Sequence, residues 1–253
     1  MQSTLKVKAF SACALDLFAP TVSTSFRDAA FANMAAAYLR GNPTPNRLVT
    51  HYSLSLREYL SDKDTPQRVR EELRHYADVR AEAMPWPLPN VWVGVVVQSP
   101  EQVKAHLPNL VAVPAAHRFV SAVPAGGYLN LAEYLPHLAW VQAKGEMGAH
   151  ARPSHPLWIF ELRDQCAEHG VPFSFEGWGE WVPRSACFHT FGDGQACADY
   201  APDATTWSCV RLTDSGANGR MLQHTGGEHA YMQRVGYLMA GRLLQGVVHD
   251  AAI

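Results

Sequence analysis

The sequence predicts an α/β fold of about six mostly parallel strands, either a (β/α) barrel or an open doubly wound sheet, with an irregular C-terminal excursion. Three observations lead there. Short apolar runs rich in β-branched residues alternate with longer segments of helical period, the pattern of βαβ units. The clearest run, VWVGVVV at residues 91–97, is apolar throughout, as expected of a parallel strand covered on both faces. The chain has 253 residues, 47% of them hydrophobic and 17% charged, so it can bury one large core. The expectation is a single α/β domain over residues 1–253.

The elements follow in order. Residues 5–10 read as a strand. Residues 25–40 read as a helix, with Phe26, Ala30, Met34 and Tyr38 on one face at i, i+4 spacing. A strand at 47–51 leads into a short helix at 53–60, with Ser53 placed to cap it. A charged amphipathic helix follows over 65–83, with Pro66 suited to its first turn. The prolines of MPWPLPN at 84–90 permit neither helix nor central strand, so this stretch is a stiff connector into the strand at 91–97. Then come a helix at 100–110 and strands at 117–122, 138–143 and 171–176. A helix between the last two runs from about His155 to His169, with Gly170 just past its end. Residues 182–228 are rich in Gly, Asp and Ser and read as an irregular insertion, with one strand near 207–212. Residues 229–253 close the chain with a helix over 230–244.

In either a barrel or an open doubly wound sheet, ligands sit beyond the carboxyl ends of the strands. Function is therefore sought there. A net charge of −2 and the lack of a basic stripe disfavour nucleic acid as a partner. No apolar run approaches the roughly 20 residues of a membrane helix, and no signal-peptide pattern opens the chain. A cytoplasmic protein without a membrane partner is the expectation. Five cysteines, an odd number with no CxxC spacing, argue against a disulfide framework. Cys13 and Cys166 read as small core residues.

Several blocks now become recognisable in their order: DLF at 16–18, REYLSD at 57–62, MPWPLPNVWVGV at 84–95 and PAAHRFVS at 114–121. ARPSHPLW at 151–158, LRDQCAEHGVPF at 162–173, WGEW at 178–181 and VGYLMAGRLLQG at 235–246 complete the set. From about Val7 to its C-terminus the chain resembles an uncharacterised family of phage and mobile-element proteins related to radical S-adenosylmethionine (SAM) enzymes. The resemblance implies a radical-SAM-like, TIM-barrel-derived scaffold, here an incomplete (β/α) barrel of about six mostly parallel strands. Such a scaffold opens with a strand and a three-cysteine loop whose thiolates ligate a [4Fe–4S] cluster. Here the first strand looks like the family's second, and no CxxxCxxC occurs in the 253 residues.

The resemblance implies further losses at strand ends. Gln98 stands where relatives carry a carboxylate, and Val123 where they carry an acidic residue. The glycine-rich turn appears as AKGEMG, which keeps Glu146 but places Lys144 where a glycine would allow close backbone approach. Glu176 replaces a basic residue, and a basic strand end has become VTHYSL at 49–54. Joint change of such positions fits release from a catalytic constraint.

The remaining candidates each have two readings. Asp16 could bind a ligand or cap its own loop. His51, at a strand end, could act or be a satisfied structural residue. Glu146 and Arg152 could form a carboxylate–guanidinium pair that orients a ligand or only fixes a loop. His155 reads as a helix-start residue. In EGWGEW, Glu176 and Glu180 have acid–base spacing, while Trp178 and Trp181 read as packing residues and Gly177 and Gly179 as the turn. Cys187, His189, Cys197 and Cys209 form a C-x-H-x7-C-x11-C array that could hold zinc but matches no standard finger.

The expectation for function is a degenerate, non-catalytic scaffold without a cofactor. It would act by binding a protein assembly of a bacterial host, including a defence system such as a CRISPR effector complex. The alternatives are an enzyme that binds SAM or another nucleotide at the strand ends, with any cluster completed in trans, and a zinc-stabilised structural module. A barrel lacking its first strand leaves a sheet edge open. Residues 182–228 or a second subunit, making a homodimer, are expected to cover it.

Overall fold

The computed structural model describes residues 16–42, 44–183, 198–199, 209–213 and 229–251. The expected strand at 5–10 lies outside them. The main sheet has five strands in the order β1-β2-β3-β4-β5, namely β1 (Asn46–Thr50), β2 (Val91–Val97), β3 (His117–Ala122), β4 (Trp140–Lys144) and β5 (Phe173–Gly177). Strands alternate with helices in a parallel α/β arrangement, as in a partial β/α barrel. The described residues divide into two compact units. One comprises the residues up to Val95 with Pro108–Arg118, the other Val96–Leu107 with the residues from Phe119 on. No helix among the described residues is long and apolar enough to cross a membrane.

In the first unit β1 pairs with β2 in parallel, from Asn46 opposite Val91 to Thr50 opposite Val95. Helix α1 (Thr24–Leu39) starts at Ser23, whose hydroxyl accepts from the Phe26 amide. That bond satisfies one of the orphan donors of the first turn. Its buried face is Asp28, Phe31, Ala32, Met34, Ala35 and Ala36, whereas Phe26 is exposed. The face expected from Phe26, Ala30, Met34 and Tyr38 is therefore rotated. Phe31 decides this by packing on Tyr59 and Trp86, at ring-centroid distances of 5.3 and 5.8 Å.

Asp28 would be costly to bury alone. The Tyr59 hydroxyl donates to it at 2.8 Å and Arg68 Nε at 3.1 Å. Burial, then the Asp28 hydrogen bond, pushes the Tyr59 hydroxyl well above the ordinary phenol range. Arg68 also binds Asp62 and the Thr65 hydroxyl. It thereby ties α1 to α2 (Ser53–Ser61) and α3 (Thr65–Leu73). Ser53 is not the cap of α2 but its first residue; Tyr52 takes the cap position without a side-chain bond.

Helix α3 stops at Leu73, ten residues before the expected end at Ala83. The chain beyond it is drawn to the end of α1, where Arg40 makes a two-pronged bond with Asp78 and lies over the Tyr76 ring.

In the second unit β4 pairs in parallel with both β3 and β5. Helix α5 (Pro156–Glu168) ends at His169, and Gly170 at φ +66° takes the left-handed position that follows. The unit's fully buried side chains include Phe119, Leu129, Leu131, Phe175 and Trp181. Gln165 on α5 donates to the Leu129 carbonyl and accepts from the Leu131 amide, fastening an otherwise irregular stretch. Helix α4 (Pro100–Ala112) follows β2.

A second sheet has four strands in the order β6-β9-β8-β7. They are β6 (Trp181–Pro183), β7 (Ala198–Asp199), β8 (Cys209–Thr213) and β9 (His229–Arg234). The described parts of 182–228 thus belong to strands rather than to a purely irregular insertion. The expected closing helix at 230–244 is corrected as well: its start is β9, paired antiparallel with β6 and β8. Only α6 (Tyr237–Ala240) is helical, between Gly236 at φ +85° and Gly241 at φ +68°. Two glycines in non-helical conformations end a helix that apolar spacing alone would continue.

Cys166 is fully buried on α5, and burial pushes its thiol up to about 12. The thiolate is the reactive form. Cys166 should therefore resist iodoacetamide in the native protein at about pH 8 and react once urea unfolds it. Peptide-resolved mass spectrometry reads this; equal labelling rates in both states would refute the burial.

Candidate functional site

The carboxyl ends of β2, β4 and β5 in the second unit carry the densest polar arrangement among the described candidates. Gln98 follows β2 directly. Its main-chain carbonyl accepts from the Ala125 and Gly126 amides, and its main-chain amide donates to Gln102 Oε1 at 2.8 Å. Its side-chain Nε2 donates to Glu146 Oε1 at 3.1 Å.

Glu146 lies two residues beyond β4, and its side chain is only 13% exposed. Arg152 approaches it through Nε, at 3.1 Å from both oxygens, and through Nη2, at 2.5 Å from Oε1. The Arg152 main-chain amide adds a bond of 2.8 Å to Oε2. Both carboxylate oxygens are therefore engaged by neighbouring donors. The pairing of Arg152 and Glu146 fixes the turn between them, because side chain and backbone of one residue grip the same group.

The turn after β5 meets the turn after β4 backbone to backbone. The Gly145 amide donates to the Gly177 carbonyl at 2.9 Å, and the Glu180 amide to the Glu146 carbonyl at 2.9 Å. A Cβ on Gly145 would lie 2.0 Å from the Trp178 carbonyl oxygen, and one on Gly179 2.0 Å from the Glu146 carbonyl oxygen. The glycine that permits close approach is thus Gly145, beside the lysine at 144. Gly179 supplies the matching gap on the other side.

The WGEW side chains divide their work. Trp178 is buried and donates through Nε1 to the Leu243 carbonyl at 2.9 Å. Trp181 is fully buried and donates to the Ala151 carbonyl at 2.8 Å. Glu180 accepts from the Gly148 amide at 3.1 Å, while Glu176 stands exposed on β5. Glu176 and Glu180 are four residues apart in sequence, but the turn directs Glu180 to the 145–150 loop. Arg234 on β9 donates to the Gly148 and Ala149 carbonyls and lies 5.8 Å above the Trp181 ring. Sequence reading did not single out Arg234, since its partners are backbone carbonyls that no side-chain pattern marks.

Asp16 and His51 come together in the first unit. Asp16 Oδ2 accepts from the Thr50 hydroxyl and the His51 amide, each at 2.9 Å, and Oδ1 from the Phe18 amide at 3.0 Å. The carboxylate pins its own loop to the end of β1, and the His51 ring side is exposed. His155 is buried as the cap of α5, its Nδ1 accepting from the Leu157 amide at 3.2 Å. Val123 is buried, with its amide on the Val97 carbonyl.

Of the zinc candidates, Cys187, His189 and Cys197 lie outside the described residues, and Cys209 is described only as part of the β8 backbone. Among the described residues no group of three or more His, Cys, Asp or Glu could hold a metal ion.

A family model described as "Protein of unknown function (DUF5131)" matches residues 2–252. No curated protein and no solved structure matches the chain.

Proposed function

The chain belongs to the DUF5131 family, and we propose that it is a degenerate, non-catalytic scaffold of radical-SAM-like descent that acts by binding protein. One observation carries the reading. The best-placed carboxylate, Glu146, is held by Arg152 and Gln98 at both oxygens. A general base or metal ligand needs a lone pair directed at its substrate, and these are spent on the scaffold itself. The resemblance to proteins whose cluster depends on three cysteines, a motif this sequence lacks, supports the same view.

The binding role follows from what a mobile element gains from a compact protein directed at its host. The partner is a bacterial protein assembly, with defence complexes as the leading class, met inside the host cell. Tagged protein should capture a stoichiometric assembly from bacterial lysate. Anaerobic incubation with iron and sulfide should leave it colourless, and SAM should not raise its Tm, because only a ligand that prefers the folded state stabilises it. Reductive cleavage of SAM to deoxyadenosine by the isolated protein would overturn the proposal.

A further inference from the structure

Strand β5 is the last of the main sheet and pairs on one side with β4. The outer edge of such a strand presents main-chain donors and acceptors that proteins cover or blunt. Here the chain beyond α6 covers it. The His249 carbonyl accepts from the Phe175 amide at 2.9 Å, the Gly241 carbonyl from the Trp178 amide at 3.1 Å and the Leu243 carbonyl from the Trp178 indole at 2.9 Å. Gly177 makes room for this crossing, since a Cβ there would lie 2.9 Å from the Gly241 carbonyl oxygen.

We propose that residues 241–250 are a releasable strap, which masks the β5 edge when closed and bares its donors when open. Two features give the segment that character. The first is a light hold. Of residues 241–250 only Leu244 is buried. His249 adds an edge-on contact with the Phe173 ring at 6.0 Å. Arg242 pairs with Asp250 inside the strap itself, so that pair does not fasten it to the sheet.

The second is a strained turn held by one latch. Leu244 and Val247 exchange amide–carbonyl bonds across Gln245 at φ +52° and Gly246 at φ +79°. A two-residue turn of this kind needs positive φ at both central positions. Gln245 is the only non-glycine with positive φ among the described residues, and a side chain is costly there. The latch comes from α5: Arg163 Nη1 donates to Gln245 Oε1 at 2.7 Å.

Release therefore breaks the three bonds to Phe175 and Trp178, the Arg163 latch and the burial of one leucine, and it relieves the strain at Gln245. A segment so held opens locally, below the cost of global unfolding. Closed, it competes with any other extended chain for the same β5 donors.

Amide-resolved hydrogen exchange by NMR on the full chain tests this. Phe175 and Trp178 donate to the strap, whereas Val141 and Gly145 donate to the Pro172 and Gly177 carbonyls between β4 and β5. In the wild type Phe175 and Trp178 should be less protected than Val141 and Gly145 by on the order of tenfold or more. Gln245→Ala removes the latch at an exposed position and should lower protection of Phe175 and Trp178 about fivefold, leaving Val141 and Gly145 unchanged. Gln245→Gly also lacks the latch but accepts positive φ, so it should keep Phe175 and Trp178 several-fold better protected than Gln245→Ala does. Equal protection of all four amides in the wild type overturns the proposal. So does a Gln245→Ala variant in which all four fall in step, or in which none changes.

Discussion

Gly179→Ala should cost about 4 kcal/mol or more of folding stability, at the upper end for a single substitution. Two effects add. Gly179 sits at φ +74°, where a side chain is strained, and its Cβ would lie 2.0 Å from the Glu146 carbonyl oxygen and 2.7 Å from the Gly145 carbonyl carbon. Those atoms are backbone, and the Gly145–Gly177 and Glu180–Glu146 bonds lock them in place. The clash cannot be relieved by turning a side chain, so the two turns must separate.

Gly148→Ala is the matched control. It has φ +98° but no atom within 4 Å of its Cβ. It should cost only the conformational strain, about 1 to 2 kcal/mol. Urea unfolding measures both, through a lower midpoint at constant slope. If the two variants lose similar stability, the close approach of the turns is not what holds this end of the sheet.

Arg152→Met should cost about 2 kcal/mol, below the range of a fully buried pair because the Arg152 side chain is 38% exposed. The loss is not the attraction alone. It leaves Glu146, whose side chain is 13% exposed, with only the Gln98 amide and the Arg152 main-chain amide. Breaking a buried pair by removing one partner costs more than replacing both. The double variant R152M/E146L should therefore recover much of the loss, and the interaction energy from the double-mutant cycle should be large. Additive single losses would show that the pair is a surface contact of little weight. A purely structural role also predicts that E146Q leaves capture of the lysate partner intact.

The same physics separates what could be read in the sequence from what could not. The strand at 91–97 was legible because burial on both faces forces a continuous apolar run. The end of α5 was legible because only glycine takes φ +66° cheaply, and Gly170 stands there. The Glu146–Arg152 pair was legible as opposite charges six residues apart, although not whether it serves a ligand or a loop. What failed is equally particular. The 230–244 segment has helical spacing, yet β9 forms because β6 and β8 offer it ladders on both sides. The α3 helix ends at Leu73, short of the expected 83, and Arg40 pairs with Asp78 in the chain beyond it.

By itself the sequence determined the parallel α/β class, most strand positions and the presence of a glycine-rich turn beside Trp178. These depend on local period and on backbone angles that particular residues permit. Only the tertiary structure decided that Gly145 and Gly179 are a mutually dependent pair, and that Gln98 and Arg152 occupy the Glu146 carboxylate. It also decided that Leu238, Met239 and Val247 face outward while Ala240 and Leu244 are buried. Each depends on which distant segments meet, and local spacing along a chain does not encode the partner across a turn.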